Sequence, residues 1–165
     1  MLLLMIGEAN ATNEPPLITD LDCLAANVYF ESNNQPLVGQ LAIVLVVLNR
    51  VKNEKFPNTV CEVILQGPVR ESWKTRKDKT LLESERVYYP VRHRCQFSWY
   101  CDGARDIITH LDVYEKIKNN IRDYLKTNMY DFTEGSTHYH AYYVSPEWAE
   151  EKTLTAVIGD HIFYR

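Results

Sequence analysis

The chain has no run approaching the ~20 apolar residues that a membrane-spanning helix requires, so stable insertion into a bilayer is not expected of it. It also lacks a basic excess. With 18 Lys and Arg against 22 Asp and Glu, the net charge is -4, which argues against nucleic acid as a partner, because such binders carry a strong positive footprint. Cysteine is sparse. Cys23, Cys61, Cys95 and Cys101 are too few for a disulfide-built miniature fold, and no CxxC pair points to structural zinc. Cys23 and Cys61 fall within apolar helical patterns and read as buried free thiols. Cys95 and Cys101 flank a short segment that an oxidising compartment would allow to be bridged.

A secretory leader is poorly supported as well. Leu2 to Ile6 gives five consecutive apolar residues, short of the ~7 to 15 of a leader's core, and no basic stretch precedes them, although Ala9-Asn10-Ala11 resembles a cleavage site. The expectation is therefore a chain made in the cytoplasm without a convincing signal, reaching an outer target by another route such as a holin-like pore made by a partner. No internal repeat or low-complexity segment is visible. What is abundant is tyrosine, 11 residues beside 3 Trp and 5 Phe, and amphipathic rings of this kind suit a sugar groove as well as a core.

Residues 1–18 read as an irregular lead-in and 19–165 as one domain. Thr19 with Asp22 forms a variant capping box for a helix from Asp20 to Ser32. Its stripe Leu21, Leu24, Ala25, Val28 makes one face, and Glu31, seven residues after Leu24, lies only ~20° from it. A carboxylate is thus predicted beside buried surface, at a helix C-terminus where the macrodipole also disfavours negative charge. Pro36 opens a second helix to about Val51 whose centre, Leu41 to Leu48, is apolar all round and therefore buried on every side. Thr59 with Glu62 caps a short helix through about Gln66.

Residues 67–94 form a charged segment with eight Lys/Arg against four Asp/Glu, a local positive field in an acidic chain; a helix from Leu81 to Tyr88 is a weak pattern within it. Gln96 to Tyr100 alternates polar and aromatic residues like a short strand. Ile108, Leu111, Tyr114, Ile117, Ile121 and Leu125 repeat at helical spacing over 104–127. Thr137 to Val144 and Val157 to Phe163 read as strands.

Three constellations bear chemistry. Glu31 offers a carboxylic acid that an apolar setting would keep protonated, although the same spacing also describes a solvated helix-end glutamate. His138-Tyr139-His140 in a strand puts both imidazoles on one face, as groove residues, as packing, or as a zinc pair whose third ligand would come from His93, Asp102 or His161. Gln96 and Ser98, with Asp102 beyond, would present amide, hydroxyl and carboxylate beside aromatic rings to a sugar, or belong to an ordinary amphipathic hairpin.

The stretches LAANVYFESNNQPLVGQLAIVLVVLNRVKNEKFPNTVCEVI, CQFSWYCDG, STHYHAYYVSPEWA and IGDHIFYR, in this order, resemble the SleB/CwlJ family of cell-wall hydrolases, which includes spore-cortex-lytic enzymes and relatives from bacteria and phages. The resemblance covers most of residues 21–165. It implies an α+β, lysozyme-like fold, mainly helical, with a buried central helix at Gln40 to Leu48 and a small antiparallel sheet. It implies peptidoglycan as substrate and Glu31 as the catalytic glutamate, with Gln96, Ser98, Asp102, His138, Tyr139 and His140 as groove residues. The 68–94 segment is a longer insertion than the family pattern leads one to expect.

A glycosidase normally sets two carboxylates about the bond, and only one stands out here. A lytic transglycosylase works with one, because the muramyl C6 hydroxyl replaces water, and this chemistry asks nothing of a metal or other cofactor. The expected reaction is cleavage between N-acetylmuramic acid and N-acetylglucosamine. Hydrolysis with Asp102 as second carboxylate, a zinc amidase built on His138 and His140, and a non-catalytic wall-binding module stay open at this point. The weak leader and missing wall-binding repeat suit a small phage endolysin.

Overall fold

Thr19 opens the part of the chain that the computed structural model describes, residues 19–165; the lead-in, with Leu2 to Ile6 and Ala9 to Ala11, lies outside it. The Thr19 side chain accepts from the Asp22 N–H at 3.2 Å while the Thr19 N–H donates to Asp22 Oδ2 at 3.0 Å, so both orphan donors of the first turn are met. The helix they start, α1, spans Asp20–Ser32. Pro36 is the N-cap of α2, Leu37–Val51. Ala42, Ile43, Val44, Val46 and Val47 are each 0% exposed, so the all-round apolar helix is the centre of the core, as its sequence requires. Thr59 caps α3, Val60–Ile64, through its hydroxyl.

The two helix starts that these threonines set bring Cys23 and Cys61 together, and the residues form a disulfide between α1 and α3. That corrects the free-thiol reading. Periodicity within each helix located each cysteine on an inner face, but only packing decides which faces meet. Cys95 and Cys101 are also bridged, six positions apart.

The insertion holds β1 (Val69–Glu71), α4 (Trp73–Lys77), a 3-10 turn at Glu83–Glu85 and β2 (Tyr88–Pro90). β1 and β2 pair antiparallel, with Arg70 opposite Tyr89. The expected helix over Leu81 to Tyr88 does not form: Arg86 reaches Glu71 on β1 at 2.7 Å, drawing the chain across into the ribbon.

Gln96 to Tyr100 is not a strand either. It leads into a 3-10 turn, Ser98–Cys101, in which the Tyr100 N–H donates back to Phe97 O. The polar and aromatic alternation arises because Phe97 is buried, at 1% exposure, while Trp99 stacks on Phe30 of α1 at 4.7 Å and donates to Asn27 Oδ1 at 2.9 Å.

The next helix, α5, spans Leu111–Leu125 and starts later than its apolar repeat suggested. Ahead of it the backbone is held by α1, since the His110 N–H donates to Tyr29 Oη at 3.2 Å. Ile117 and Ile121 pack into the core, and Lys118 pairs with Asp22 across the α1–α5 contact at 2.5 Å.

A three-stranded antiparallel sheet closes the chain: β3 (His138–Ala141), β4 (Leu154–Ile158) and β5 (His161–Tyr164), in the order β3-β5-β4. The single strand expected from Val157 to Phe163 is divided into a hairpin because Gly159, at φ +57°, turns the chain so that Ile158 faces His161, a conformation for which glycine carries no Cβ penalty. Tyr139 pairs with Phe163 and both point inward to the core, whereas His138 pairs with Tyr164 and His140 with Ile162 on the outer face.

Candidate active site

The last turn of α1 carries Glu31, partly buried beside the core stripe. β3 supplies its partner. The Tyr139 hydroxyl donates to Glu31 Oε2 at 2.8 Å, and the strand period of two that turns His138 and His140 outward is what aims Tyr139 inward. Among the described residues no hydrogen bond reaches Glu31 Oε1, so that oxygen is free to carry a proton.

Arg50, in the last turn of α2, completes the cluster. It is 4% exposed, its Nε donates to Thr137 O at 2.7 Å, and its guanidinium lies over the rings of Phe56 and Phe97 at 5.2 and 5.3 Å. Its Nη1 has no partner among the described residues. A planar, weakly hydrated cation between two aromatic faces is a setting that suits arginine and not lysine. Phe97 stands between Gln96 and Ser98, so Arg50 couples that segment to the Glu31 neighbourhood.

Burial pushes the Glu31 carboxyl above the ordinary glutamate range; the Tyr139 hydrogen bond and then the charge of Arg50 oppose this without cancelling it. Burial, reinforced by the Glu31 charge and hydrogen bond, holds the Tyr139 phenol well above its usual range, so it remains a donor. The result is a carboxyl that keeps its proton to higher pH, oriented through one oxygen, with a fixed cation nearby to stabilise the carboxylate once the proton leaves.

The other sequence candidates separate into groups. Gln96 and Ser98 are exposed on either side of Phe97. Asp102 follows the Cys95–Cys101 turn, and its Oδ1 accepts from the Ala104 N–H at 2.6 Å. None of the three is hydrogen-bonded to Glu31 among the described residues. His138 and His140 do share a face, but it is the outer one, where both rings meet Trp148 at 5.4 and 5.7 Å and His140 stacks on Tyr164. Tyr139 thus meets Glu31 from one face of β3, and the two imidazoles lie on the other. Burial, then the charges of Lys152 and Arg50, lower His138 to about 4. His161 lies on the inner face, edge-on to Tyr139 at 5.2 Å. Neither it, His93 nor Asp102 joins the HxH pair, and the described residues contain no group of three His, Cys, Asp or Glu side chains placed to hold a metal.

Arg50 was missed from the sequence, although a signal existed: it is the one charged residue in the apolar run Leu37–Val51. Trp148, which organises the outer face, had no comparable signal.

Comparison with known proteins identifies the family. A model of the family described as Cell Wall Hydrolase matches residues 34–164, with Glu31 just ahead of that span. The spore cortex-lytic enzyme of Bacillus cereus is 47% identical over 47 residues, 28% of this chain and 18% of its own length. That of Halalkalibacterium halodurans is 42% identical over 64 residues, 36% of this chain and 19% of its own. The matches thus span about a fifth of the length of these curated relatives. Among solved structures, the catalytic domain of the Bacillus cereus SleB protein superposes with a TM-score of 0.55 at 26% identity, over 96% of this chain and 100% of that one. The catalytic domain of the germination-specific lytic transglycosylase SleB from Bacillus anthracis gives 0.55 at 24% identity, over 97% and 100%, and bears on the fold alone. Helices around a buried α2 with small antiparallel sheets are the α+β, lysozyme-like architecture that the sequence resemblance implies. The chain belongs to the cell wall hydrolase family, of the SleB/CwlJ type.

Proposed function

We propose that residues 19–165 act as one catalytic unit that cleaves peptidoglycan glycan strands between N-acetylmuramic acid and N-acetylglucosamine as a lytic transglycosylase, with Glu31 as its single acid/base. The observation that carries this reading is the partly buried Glu31 carboxyl, held at Oε2 by Tyr139 and raised in pKa by burial. In the first half-reaction Glu31 gives its proton to the glycosidic oxygen as the bond to muramyl C1 breaks. In the second, the C6 hydroxyl of the same muramyl unit bonds to C1 and its proton returns to Glu31, leaving a 1,6-anhydro sugar without consuming water. Asp102, the candidate second carboxylate for a hydrolytic route, accepts from the Ala104 N–H; the one-carboxylate chemistry makes no demand on it.

Tyr139 is a positioning residue in this scheme, Arg50 tunes the carboxylate, and Gln96 and Ser98 are exposed where they would contact glycan. The two disulfides suit work at the wall, outside a reducing cytoplasm. Mass spectrometry of purified peptidoglycan digested by the protein tests the reaction. Anhydromuramyl ends are the expected product. Reducing muramyl ends would replace the proposal with hydrolysis, and free stem peptides would replace it with amidase chemistry.

A further inference from the structure

The insertion carries a small pocket of its own. β1 and β2 place Arg70 directly opposite Tyr89, on the same side of the ribbon, and α4 brings Trp73 and Arg76 to the same cavity of about 270 Å³, with Ser72 and Glu71 completing it. Trp73 and Tyr89 are 58% and 56% exposed, far more than packing requires of such rings. The neighbouring carboxylates, that of Glu71 in the pocket itself among them, already have partners. Arg86 holds Glu71 at 2.7 Å and Glu83 at 3.6 Å. Asp78 accepts from Thr80, and Glu85 from the Leu82 N–H. Arg70, Lys74 and Arg76 form no ion pair among the described residues, and Lys77 rests over the Trp73 ring at 4.9 Å.

We infer that this pocket is an accessory site for a saccharide unit of the cell wall that bears an anionic substituent, its ring against Trp73 and Tyr89 and the stem-peptide carboxylate or phosphate attached to it on Arg70 and Arg76. Planar guanidinium groups engage such anions through paired hydrogen bonds, and unneutralised neighbouring lysines extend the field along a polyanion. The inference rests on the wall-degrading reading for the source of the ligand. Chain continuity links it to the candidate active site, because the base of the insertion is pinned by the Gln96 N–H on Gln66 O at 2.9 Å, and the next residue is Phe97 beneath Arg50.

Binding of the full chain in a Glu31→Gln background tests this without requiring turnover. Cosedimentation would be measured on purified walls carrying their phosphodiester-linked polymers and on the same walls stripped of them. Arg70→Gln with Arg76→Gln should weaken binding about ten-fold at ~0.1 M salt, with the difference largely gone at ~1 M salt. Trp73→Ala, on an exposed side chain, should weaken binding several-fold at both salt levels. A loss on both wall preparations identifies a stem-peptide carboxylate of the peptidoglycan as the anion; a loss on unstripped walls alone identifies phosphate. Unchanged affinity in either folded variant overturns the site. Clearing of the walls by the Glu31→Gln background would instead count against the catalytic assignment, so the two readings fail separately.

Discussion

Tyr139 and Glu31, 108 positions apart, meet through a 2.8 Å hydrogen bond in which the phenol donates to Oε2. The bond stabilises the carboxylate form, yet burial still prevails and the carboxyl remains raised. The site thus holds a proton that it can give up, and a fixed donor receives the anion that results.

Replacing Glu31 by Gln is expected to leave a folded protein whose lytic rate falls about 10² to 10⁴ fold, the usual worth of acid/base catalysis. The same variant should be more stable than wild type at neutral pH. A carboxyl whose folded-state pKa exceeds its unfolded value binds more protons in the folded state between the two, so stability declines as pH rises through that window and stays lower above it. The stability gain of the amide should therefore shrink to nothing as pH falls below the ordinary glutamate range. Turbidity clearing and thermal melts across pH measure both effects, and a variant keeping more than about a tenth of the wild-type rate would remove Glu31 from its role.

Tyr139→Phe keeps the ring against Phe163 and His161 but removes the donor. With that lowering influence gone, the Glu31 pKa should rise further, and the basic limb of the kcat/KM profile should move to higher pH. The maximal rate should fall by less than in Glu31→Gln. An unmoved basic limb would show that the hydroxyl does not act on Glu31 in solution.

The Cys23–Cys61 bridge closes a stretch of 38 positions between α1 and α3. Its removal as Cys23→Ala with Cys61→Ala should cost about 2 to 4 kcal/mol, a fall in Tm of roughly 5 to 15 °C for a chain of this size. Calorimetry under non-reducing conditions checks this, with the Cys95–Cys101 bridge left in place. A Tm within a degree of wild type would mean that the two thiols are not joined.

The sequence by itself determined what depends on neighbours along the chain. The capping box at Thr19, the all-round apolar α2 and the placement of Glu31 seven residues after Leu24 were legible because hydrogen bonding and periodicity within a helix are local. So was the placement of His138 and His140 on one shared face, a direct result of strand alternation. What required tertiary structure was every relation between elements. Whether Cys23 faces Cys61, and whether the HxH face or the Tyr139 face turns toward Glu31, depends on which sides of two elements pack together, and periodicity names the sides without naming their partners. Gln96 to Tyr100 shows the limit most clearly. Its alternation is real, but no strand lies beside it; a disulfide, the burial of Phe97 and the docking of Trp99 on α1 bend it into a 3-10 turn. Arg50 shows the converse: a lone cation in an apolar helix was visible in sequence, but its meaning came only when Phe56, Phe97 and Thr137, from distant segments, closed around it and set it beside the carboxyl it tunes.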